Sequence, residues 1–280
     1  MTDSEIAFAK INLALHVRRR REDGYHELET IFAFARHGDL VSIAEGPPRL
    51  TIDGPFADIL RGEDPEDNLV MRAARGLYRL AGAGTPPAIH LDKRLPVAAG
   101  IGGGSADAAA VLRLLCRRLG LSTDAPEVLA LAAELGADVP ACLMSQSVRG
   151  DARGDVLAPV DGSGLCDMPL LLVNPGVPLS TGPVFKAWDG VDHGPLASGD
   201  PLEAALAGRN DLEPPALRLC PVIGDVIERL AAQPGCTLAR MSGSGATCFA
   251  LFENSEQRDT ASEVIGVKQS GWWRLASGLR

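Results

Sequence analysis

A run of glycines is the feature of this sequence best suited to chemistry. Gly100 and residues 102–104 are glycine and Ser105 follows them, between a strand-like segment and a helix-like segment. Glycines let backbone N–H groups approach a ligand without hindrance from Cβ, and the dipole at a helix N-terminus favours negative charge. The pattern predicts an anion-binding loop, and a plain tight turn is the alternative.

The loop does not match the common nucleotide-binding signatures. Ser105 stands where a dinucleotide-binding fingerprint needs its third glycine, and no Gly-Lys-Ser/Thr follows to make a Walker loop. The sequence also lacks the His-Arg-Asp and Asp-Phe-Gly segments of protein kinases and the Gly-x-Ser-x-Gly turn of serine hydrolases.

A lysine and an asparagine share one face of the first predicted strand. Residues 6–17 alternate, so that Lys10 and Asn12 project opposite Ile11 and Leu13. This pattern predicts a half-buried strand, and its polar face could be simply exposed or could serve a site. Asp138 lies just beyond a predicted helix and before Pro140, as a turn residue would.

The elements that must position these residues alternate between strands and helices. The N-terminal part predicts strands near residues 6–17, 25–35, 40–43, 50–52 and 89–91, and helices over 69–81, 105–119 and 125–135. Asn68 and Asp124 are the expected N-caps, and Asp107 is expected in the first turn of its helix. Residues 145–164 are predicted to be a loop and the domain junction.

The C-terminal part predicts a second set of elements. Strands are expected near residues 170–173, 237–240, 247–252 and 272–275, and helices near 183–187, 214–232 with a break at Pro221, and 255–265. Residues 188–200 are expected to form a loop.

Composition excludes several classes of protein. The 280 residues suggest about two domains. Because 27 Lys and Arg stand against 36 Asp and Glu, the net charge is −9, which argues against sequence-independent nucleic-acid binding. No apolar run reaches the ~18–20 residues of a membrane span. The acidic N-terminus does not resemble a secretory leader, and the six cysteines lack zinc-site spacing. These features predict a cytoplasmic protein with reduced thiols.

Several motifs together resemble the GHMP small-molecule kinases. The segment that starts at Pro96 and runs through the glycines to Ser105 and Ala106 resembles the phosphate loop of that superfamily. Further segments resemble the branch that acts on a cytidyl diphosphate alcohol: Ala9-Lys-Ile-Asn-Leu, Asp23-Gly-Tyr-His, Gly136-Ala-Asp-Val-Pro and Met241-Ser-Gly-Ser-Gly-Ala. Together they cover about residues 6–255. Ala106 stands where a second serine is often found, which weakens a magnesium role at that position.

The resemblance implies a fold and a division of roles. It implies an α+β protein with the two-lobed GHMP kinase fold, an N-terminal α/β lobe and a ferredoxin-like C-terminal lobe with an antiparallel sheet. Residues 1–160 would form the ATP-binding lobe and residues 161–280 the substrate-binding lobe.

The resemblance also implies a reaction and its residues. ATP would phosphorylate the 2-hydroxyl of a methylerythritol unit that carries a diphosphocytidyl group, a step of non-mevalonate isoprenoid biosynthesis. Lys10 and Asp138 would be catalytic, with Asp138 as the base. The positions implied for ATP are Asn68, Lys93, Pro96, Gly100, Gly102, Gly103, Gly104 and Ser105, with Ser105 also available to Mg²⁺.

The remaining implied positions concern the cytidyl substrate. They are Asn12, Tyr25, His26, Phe185, Gly243 and Ser244. An aromatic ring can stack on the base while an imidazole hydrogen-bonds its edge. The alternatives are another GHMP kinase, such as a homoserine or mevalonate kinase, and a non-catalytic nucleotide-binding protein on this scaffold. Either a monomer or a weak homodimer is expected, with no nucleic-acid or membrane partner.

Overall fold

The computed structural model describes residues 3–44, 46–60, 62, 64 and 67–280. The strands are β1 Ser4–Arg20, β2 His26–Ala44, β3 Leu50–Asp53, β4 Ala88–Asp92, β5 Val148–Asp151, β6 Val156–Pro159, β7 Pro169–Asn174, β8 Cys236–Met241, β9 Cys248–Phe252 and β10 Trp273–Gly278. The helices are α1 Leu69–Leu80, α2 Gly103–Leu119, α3 Pro126–Leu135, α4 Val139–Met144, α5 Thr181–Lys186, α6 Pro201–Ala207, α7 Glu213–Leu219, α8 Val222–Ala231 and α9 Ser255–Lys268, with a 3-10 turn at Ala57–Leu60.

The chain forms two compact units, and each unit is built from several separate stretches of the sequence. The first unit comprises Met1–Ala9, His37–Val97 and Gly102–Ser145, and the second comprises Lys10–Arg36, Ala98–Ile101 and Gln146–Arg280. Strands β1 and β2 and the glycine loop therefore contribute residues to both units. The assignment of ATP binding to residues 1–160 and of substrate binding to residues 161–280 stays a prediction.

The first unit contains a group of helices that pack on one another and part of a six-stranded sheet. Residues 40–44 of β2 pair antiparallel with β4, and β3 pairs parallel with β4. Helix α1 packs on α2, and α2 packs on α4. The predicted N-cap of α1 is confirmed, because the Asn68 side chain accepts a hydrogen bond from the Val70 backbone N–H. Ala73 and Leu77 of α1 are completely buried, whereas Leu80 at the end of the helix is 40% exposed.

The second unit contains the antiparallel sheet that the resemblance implies. Its strands lie in the order β10-β7-β9-β8, and each neighbouring pair is antiparallel. Helices α8 and α9 pack on this sheet. The core includes Val173, Ile223, Phe252 and Ile265. The expected break at Pro221 is confirmed, since α7 ends before it and α8 begins after it.

The first strand is more deeply buried than its alternation predicts. Strands β1 and β2 pair as a hairpin, with its turn closed by the Arg21 N–H, which donates to the Tyr25 carbonyl at 2.8 Å. However, all residues from 9 to 17 are buried, so the prediction of a half-buried strand is wrong. Its polar face is covered by protein, and its side chains find internal hydrogen-bond partners.

His16 shows how this polar face is accommodated. Its Nε2 accepts the Arg209 backbone N–H at 3.2 Å, which places the ring proton on Nδ1, 3.1 Å from the Gly194 carbonyl oxygen. Burial, together with the charge of Arg209, lowers the pKa of His16. The imidazole is therefore neutral in the fold.

Several other predicted elements need correction. Residues 145–164 are not a loop: they contain β5 and β6, which pair with each other, and β5 pairs with residues 30–32 of β2. The two strands expected at 25–35 and 40–43 are one strand, β2. The short helices α4 and α6 were not predicted.

Two predicted helix-start interactions are also wrong. Helix α3 is capped by Ala125, without a side-chain hydrogen bond, because the helix begins one residue after the expected position and Asp124 falls outside it. Helix α2 begins at Gly103, so no acidic residue lies in its first turn and Asp107 comes later. The Asp107 carboxylate faces a buried lysine instead of the helix N-terminus.

The cysteines agree with the reduced state that their spacing in the sequence predicts. All six cysteines are free, and four of them, Cys116, Cys142, Cys220 and Cys248, are buried. Cys166 is exposed. Among the described residues, none of the helices combines the length and the apolar character that crossing a membrane would require.

Candidate active site

The glycine loop ends in an uncapped helix N-terminus. Gly102 is the N-cap of α2 in the left-handed conformation, with φ of 62°, and no side chain caps the helix. The first backbone N–H groups of α2 consequently have no capping acceptor from their own N-cap side chain. A glycine is needed at position 102 because other residues rarely adopt this φ. This end of α2 can accept an anion.

The earlier half of the glycine loop is held by a second glycine-rich loop, residues 242–245. The Ser242 hydroxyl donates to the Gly100 carbonyl at 3.0 Å, and the Thr247 N–H donates to the Ala99 carbonyl at 3.1 Å. Gly100 has φ of 75°, and a Cβ there would lie 2.4 Å from the Ser242 carbonyl oxygen. A side chain at position 100 would therefore separate the two loops.

A buried ion-pair triad lies beside the later half of the loop. The Lys93 ammonium lies 2.6 Å from a carboxylate oxygen of Asp39 and 2.6 Å from one of Asp107. All three side chains are buried. A Cβ on Gly103 would lie 3.1 Å from the Lys93 ammonium, so the triad directly supports the start of α2.

The charges of this triad depend on each other. Burial opposes charge on Lys93, but Asp107 and Asp39 outweigh it, so that the pKa of Lys93 is raised. Burial raises the pKa of Asp107 to about 7, with Lys93 acting against that rise and Asp39 adding to it. The second Asp39 oxygen accepts the N–H groups of Arg94 and Leu95, at 2.5 and 2.7 Å. The resemblance implies Lys93 at ATP, and the sequence indicates neither carboxylate beside it.

Lys10 and Asn12 lie together on β1, as predicted. The Lys10 ammonium donates to the Asn12 side-chain oxygen at 3.0 Å and lies 4.8 Å from the centroid of the Phe32 ring. Asn12 donates to the Thr30 hydroxyl at 2.8 Å, and its backbone N–H donates to the Ser242 hydroxyl at 3.2 Å. Lys10 is only 4% exposed, so the face is an internal site and not a solvated strand surface.

The second glycine loop is fixed by a residue that sequence reasoning missed. The Asn210 amide donates to the carbonyls of Met241 and Gly243, each at 2.8 Å, and Asn210 is buried. The Ser244 hydroxyl lies 2.9 Å from that of Thr181, and Gly243 lies beside Asn12. Of the predicted residues, the structure therefore brings Asn12, Gly243 and Gly100 into one cluster.

An aromatic cluster surrounds His26. Its ring lies 4.9 Å from the Phe185 ring, tilted by 34°, and 5.6 Å from the Trp188 ring at an angle of 87°. Burial, with a smaller contribution from Arg20, lowers the pKa of His26. Tyr25 is 56% exposed, and its ring neighbour is the guanidinium of Arg153 at 5.2 Å. The predicted pair of His26 and Phe185 is therefore together, whereas Tyr25 stands apart.

The remaining predicted residues belong to the first unit. Asp138 is the N-cap of α4, partly exposed, and its side chain makes no capping hydrogen bond. Pro96 is buried, and its carbonyl oxygen would lie 3.8 Å from a Cβ on Gly103. Gly104 and Ser105 occupy the first turn of α2, and the side-chain oxygen of Asn68 is used to cap α1.

The residues missed from the sequence had weak local signals. Asp39 and Asp107 lie 54 and 14 residues from Lys93, so no local spacing links them. Asn210 and Trp188 fall in a stretch without periodicity. For Asn210 the sequence offers no usable signal, because the burial of Asn210 and of the adjoining Asp211 is seen only in the fold.

Comparisons with known proteins identify the family of the chain. Residues 68–146 match the GHMP kinases N terminal domain, and residues 196–267 match the GHMP kinases C terminal domain. A 4-diphosphocytidyl-2-C-methyl-D-erythritol kinase of Rhizorhabdus wittichii is 68% identical over 280 residues, which is 100% of this chain and 96% of that protein. One of Novosphingobium aromaticivorans is 52% identical, covering 100% of this chain and 94% of that protein.

Solved structures give the same result. A crystal structure of 4-(cytidine 5'-diphospho)-2C-methyl-D-erythritol kinase matches with a TM-score of 0.80 and 35% identity, covering 99% of this chain and 98% of that one. A homoserine kinase from Cytophaga hutchinsonii matches with a TM-score of 0.67 at 18% identity, which supports the fold alone. The predicted α+β GHMP kinase fold is confirmed, and the chain belongs to the 4-diphosphocytidyl-2-C-methyl-D-erythritol kinase family of GHMP kinases.

Proposed function

We propose that Lys10 and Asp138 carry the reaction of this kinase, the ATP-dependent phosphorylation of the 2-hydroxyl of 4-diphosphocytidyl-2-C-methyl-D-erythritol. This reaction belongs to non-mevalonate isoprenoid biosynthesis. The observation that carries the proposal is the buried ammonium of Lys10, which Asn12 orients at 3.0 Å. The Asn12 backbone N–H is in turn bound to Ser242 of the second glycine loop, so Lys10 stands at a defined place beside that loop, where its charge could neutralise a transferring phosphoryl group.

The step requires little covalent chemistry from the protein. The Asp138 carboxylate accepts the proton of the substrate 2-hydroxyl while that oxygen forms a bond to the γ-phosphorus of ATP. The bond from phosphorus to the β,γ-bridging oxygen breaks, and ADP leaves with the electron pair. Lys10 balances the negative charge of the phosphoryl oxygens, since alignment and charge neutralisation dominate such reactions.

ATP is assigned to the glycine loop and its neighbours. The uncapped N-terminus of α2 supplies N–H groups and a favourable dipole for the phosphates. We assign phosphate contacts to Gly100, Gly102, Gly103, Gly104 and Ser105, with Asn68 and Pro96 close to the nucleotide. Lys93 is assigned a supporting role, because its ammonium already lies between two buried carboxylates. The ATP-binding role of residues 1–160 and the substrate-binding role of residues 161–280 complete the proposal.

The residues near the glycine loop suit a magnesium ion that enters the site already bound to the phosphates of ATP. Mg²⁺ is usually bound through substrate phosphates and only one or two protein groups. In the part of the chain that the structure describes, no group of three or more His, Cys, Asp or Glu side chains could hold a metal ion. Ser105, in the first turn of α2, is the group we assign to it. Bound Mg²⁺ would neutralise charge on the triphosphate.

The cytidyl part of the substrate is assigned to the second unit. The neutral His26 imidazole can donate from one nitrogen and accept at the other, which suits a base edge. Phe185 would stack on the cytosine ring, and Tyr25 would cover the same ring from the exposed side. Gly243 and Ser244 would face the diphosphate, with Asn12 between them and Lys10.

We further propose a cytoplasmic enzyme that is a monomer or a weak homodimer. Sedimentation at several protein concentrations would test the oligomeric state.

Base recognition is tested by two substitutions. Stacking on an aromatic ring contributes ~1–3 kcal/mol per base, so Tyr25→Ala is expected to raise the KM for the cytidyl substrate roughly 5- to 150-fold. His26→Ala should also reduce the preference for cytosine over uracil. The KM for ATP should stay unchanged in both. Unchanged KM values for both the cytidyl and the uridyl substrate in His26→Ala would contradict the assignment.

A further inference from the structure

Two aromatic rings, and not one, fix the orientation of His26. Phe185 lies across its face at 4.9 Å, and Trp188 meets it nearly at right angles at 5.6 Å. The second arrangement is the edge-to-face geometry that aromatic pairs favour. Phe185 limits how far the imidazole ring can tilt, and Trp188 limits its rotation. The two ring nitrogens of His26 therefore point in fixed directions.

The backbone that carries Trp188 is itself anchored. Trp188 lies two residues beyond the end of α5, and its N–H donates to the Phe185 carbonyl at 3.2 Å. The preceding carbonyl, of Ala187, accepts a hydrogen bond from the Arg218 guanidinium at 2.6 Å. Trp188 and Phe185 therefore form one rigid wall beside His26.

Packing within the protein leaves one polar group of the Trp188 side chain, its indole N–H, without a partner among the described residues. This N–H group is buried. A buried tryptophan that serves packing alone usually places this donor on an acceptor. Trp272 packs on the same core, but within the described residues its ring is not one of those paired with His26 and its indole N–H is not a buried unpaired donor.

We infer that Trp188 is a positioning residue for base selectivity: by holding the His26 ring at one angle, it lets the enzyme distinguish cytosine from uracil. The two bases differ at two adjacent positions: cytosine carries an amino donor at C4 and an acceptor at N3, whereas uracil carries a carbonyl acceptor at C4 and an N–H donor at N3. An imidazole that could rotate would present a donor or an acceptor to either base. This inference rests on the proposed role of His26 in cytidyl recognition.

The kinetic test compares Trp188→Leu, Trp188→Phe and the control Trp272→Leu. Both leucine variants remove a partly buried indole from the same core, so their losses of melting temperature should be similar. The ratio of kcat/KM for the cytidyl substrate to that for the uridyl analogue should fall roughly 3- to 10-fold in Trp188→Leu. This ratio should stay within about twofold of the wild-type value in Trp272→Leu. Trp188→Phe keeps an aromatic edge and should retain most of the wild-type preference for cytosine.

A spectroscopic arm uses cytidine monophosphate as the probe and needs no turnover. Its binding should change the intrinsic fluorescence of the wild type and of Trp272→Leu, and the change should be lost in Trp188→Phe. A retained base preference in Trp188→Leu, or a retained fluorescence change in Trp188→Phe, would overturn the inference while leaving the proposed function intact. A wild-type enzyme without any preference for cytosine would instead overturn both.

Discussion

The Lys93 ammonium lies 2.6 Å from a carboxylate oxygen of Asp107, and both side chains are almost completely buried. This pair joins the segment before the glycine loop to the helix after it. A second carboxylate, Asp39, lies at the same distance on the same ammonium. The loop is therefore held at both ends by charges that water does not reach.

Removal of the Lys93 charge should unfold this region. Lys93→Met leaves two buried carboxylates without their cation, and breaking a buried pair in this way costs about 3–5 kcal/mol. The free energy of unfolding in urea should fall by that amount, whereas the control Lys268→Met, at an exposed lysine of α9, should leave it unchanged. A Lys93→Met enzyme that unfolds like the wild type but has a much higher KM for ATP would make Lys93 a direct ATP ligand.

Gly104 offers a test of phosphate approach that spares the fold. A Cβ at this position would have ordinary contact with Leu69, at 3.7 Å, so Gly104→Ala should not lower the melting temperature. The same methyl group would lie where phosphates are proposed to approach the start of α2, and the KM for ATP should rise by about 10-fold or more. Gly84→Ala, at a glycine whose Cβ would meet nothing within 4 Å, is the matched control. An unchanged KM for ATP in Gly104→Ala would place the phosphates elsewhere.

Asp138→Asn keeps the shape of the proposed base and removes its ability to accept a proton. General-base assistance contributes about 10²- to 10⁴-fold, so kcat should fall by that factor while the KM for ATP changes little. Asp124→Asn, at an exposed aspartate outside the helices, should have wild-type kcat. If Asp138→Asn also has wild-type kcat, Asp138 is a structural residue at the start of α4.

The buried His16 should make stability fall in mild acid. Burial and Arg209 lower its pKa below 6.5 in the fold, so the unfolded chain binds more protons as the pH falls below about 6.5. The contribution of His16 is therefore complete above that pH and is lost below it. His16→Gln should show a smaller difference in unfolding free energy between pH 7.5 and pH 5 than wild type, by about 1.4 kcal/mol for each unit of pKa shift at most. The exposed His37→Gln should keep the wild-type difference, and an equal pH dependence in His16→Gln would contradict this account.

The sequence predicts what is encoded locally. Alternation identifies β1 and places Lys10 beside Asn12, and clustered glycines identify the start of α2, because both signals depend on near neighbours in the chain. It does not predict that β1 is buried on both faces, since the covering residues, such as Asn210, come from far along the chain. For the same reason, the partners of Lys93 and the wall formed by Trp188 appear only in the folded protein.

The most direct test of the central claim is an initial-rate panel with ATP and Mg²⁺. The purified enzyme is offered 4-diphosphocytidyl-2-C-methyl-D-erythritol, mevalonate and homoserine at equal concentrations, and ADP formation is measured alongside the position of the new phosphate by ³¹P NMR. The account predicts rapid ADP formation with the cytidyl substrate alone and a phosphate on its 2-hydroxyl. Phosphorylation of mevalonate or homoserine without turnover of the cytidyl substrate would contradict it.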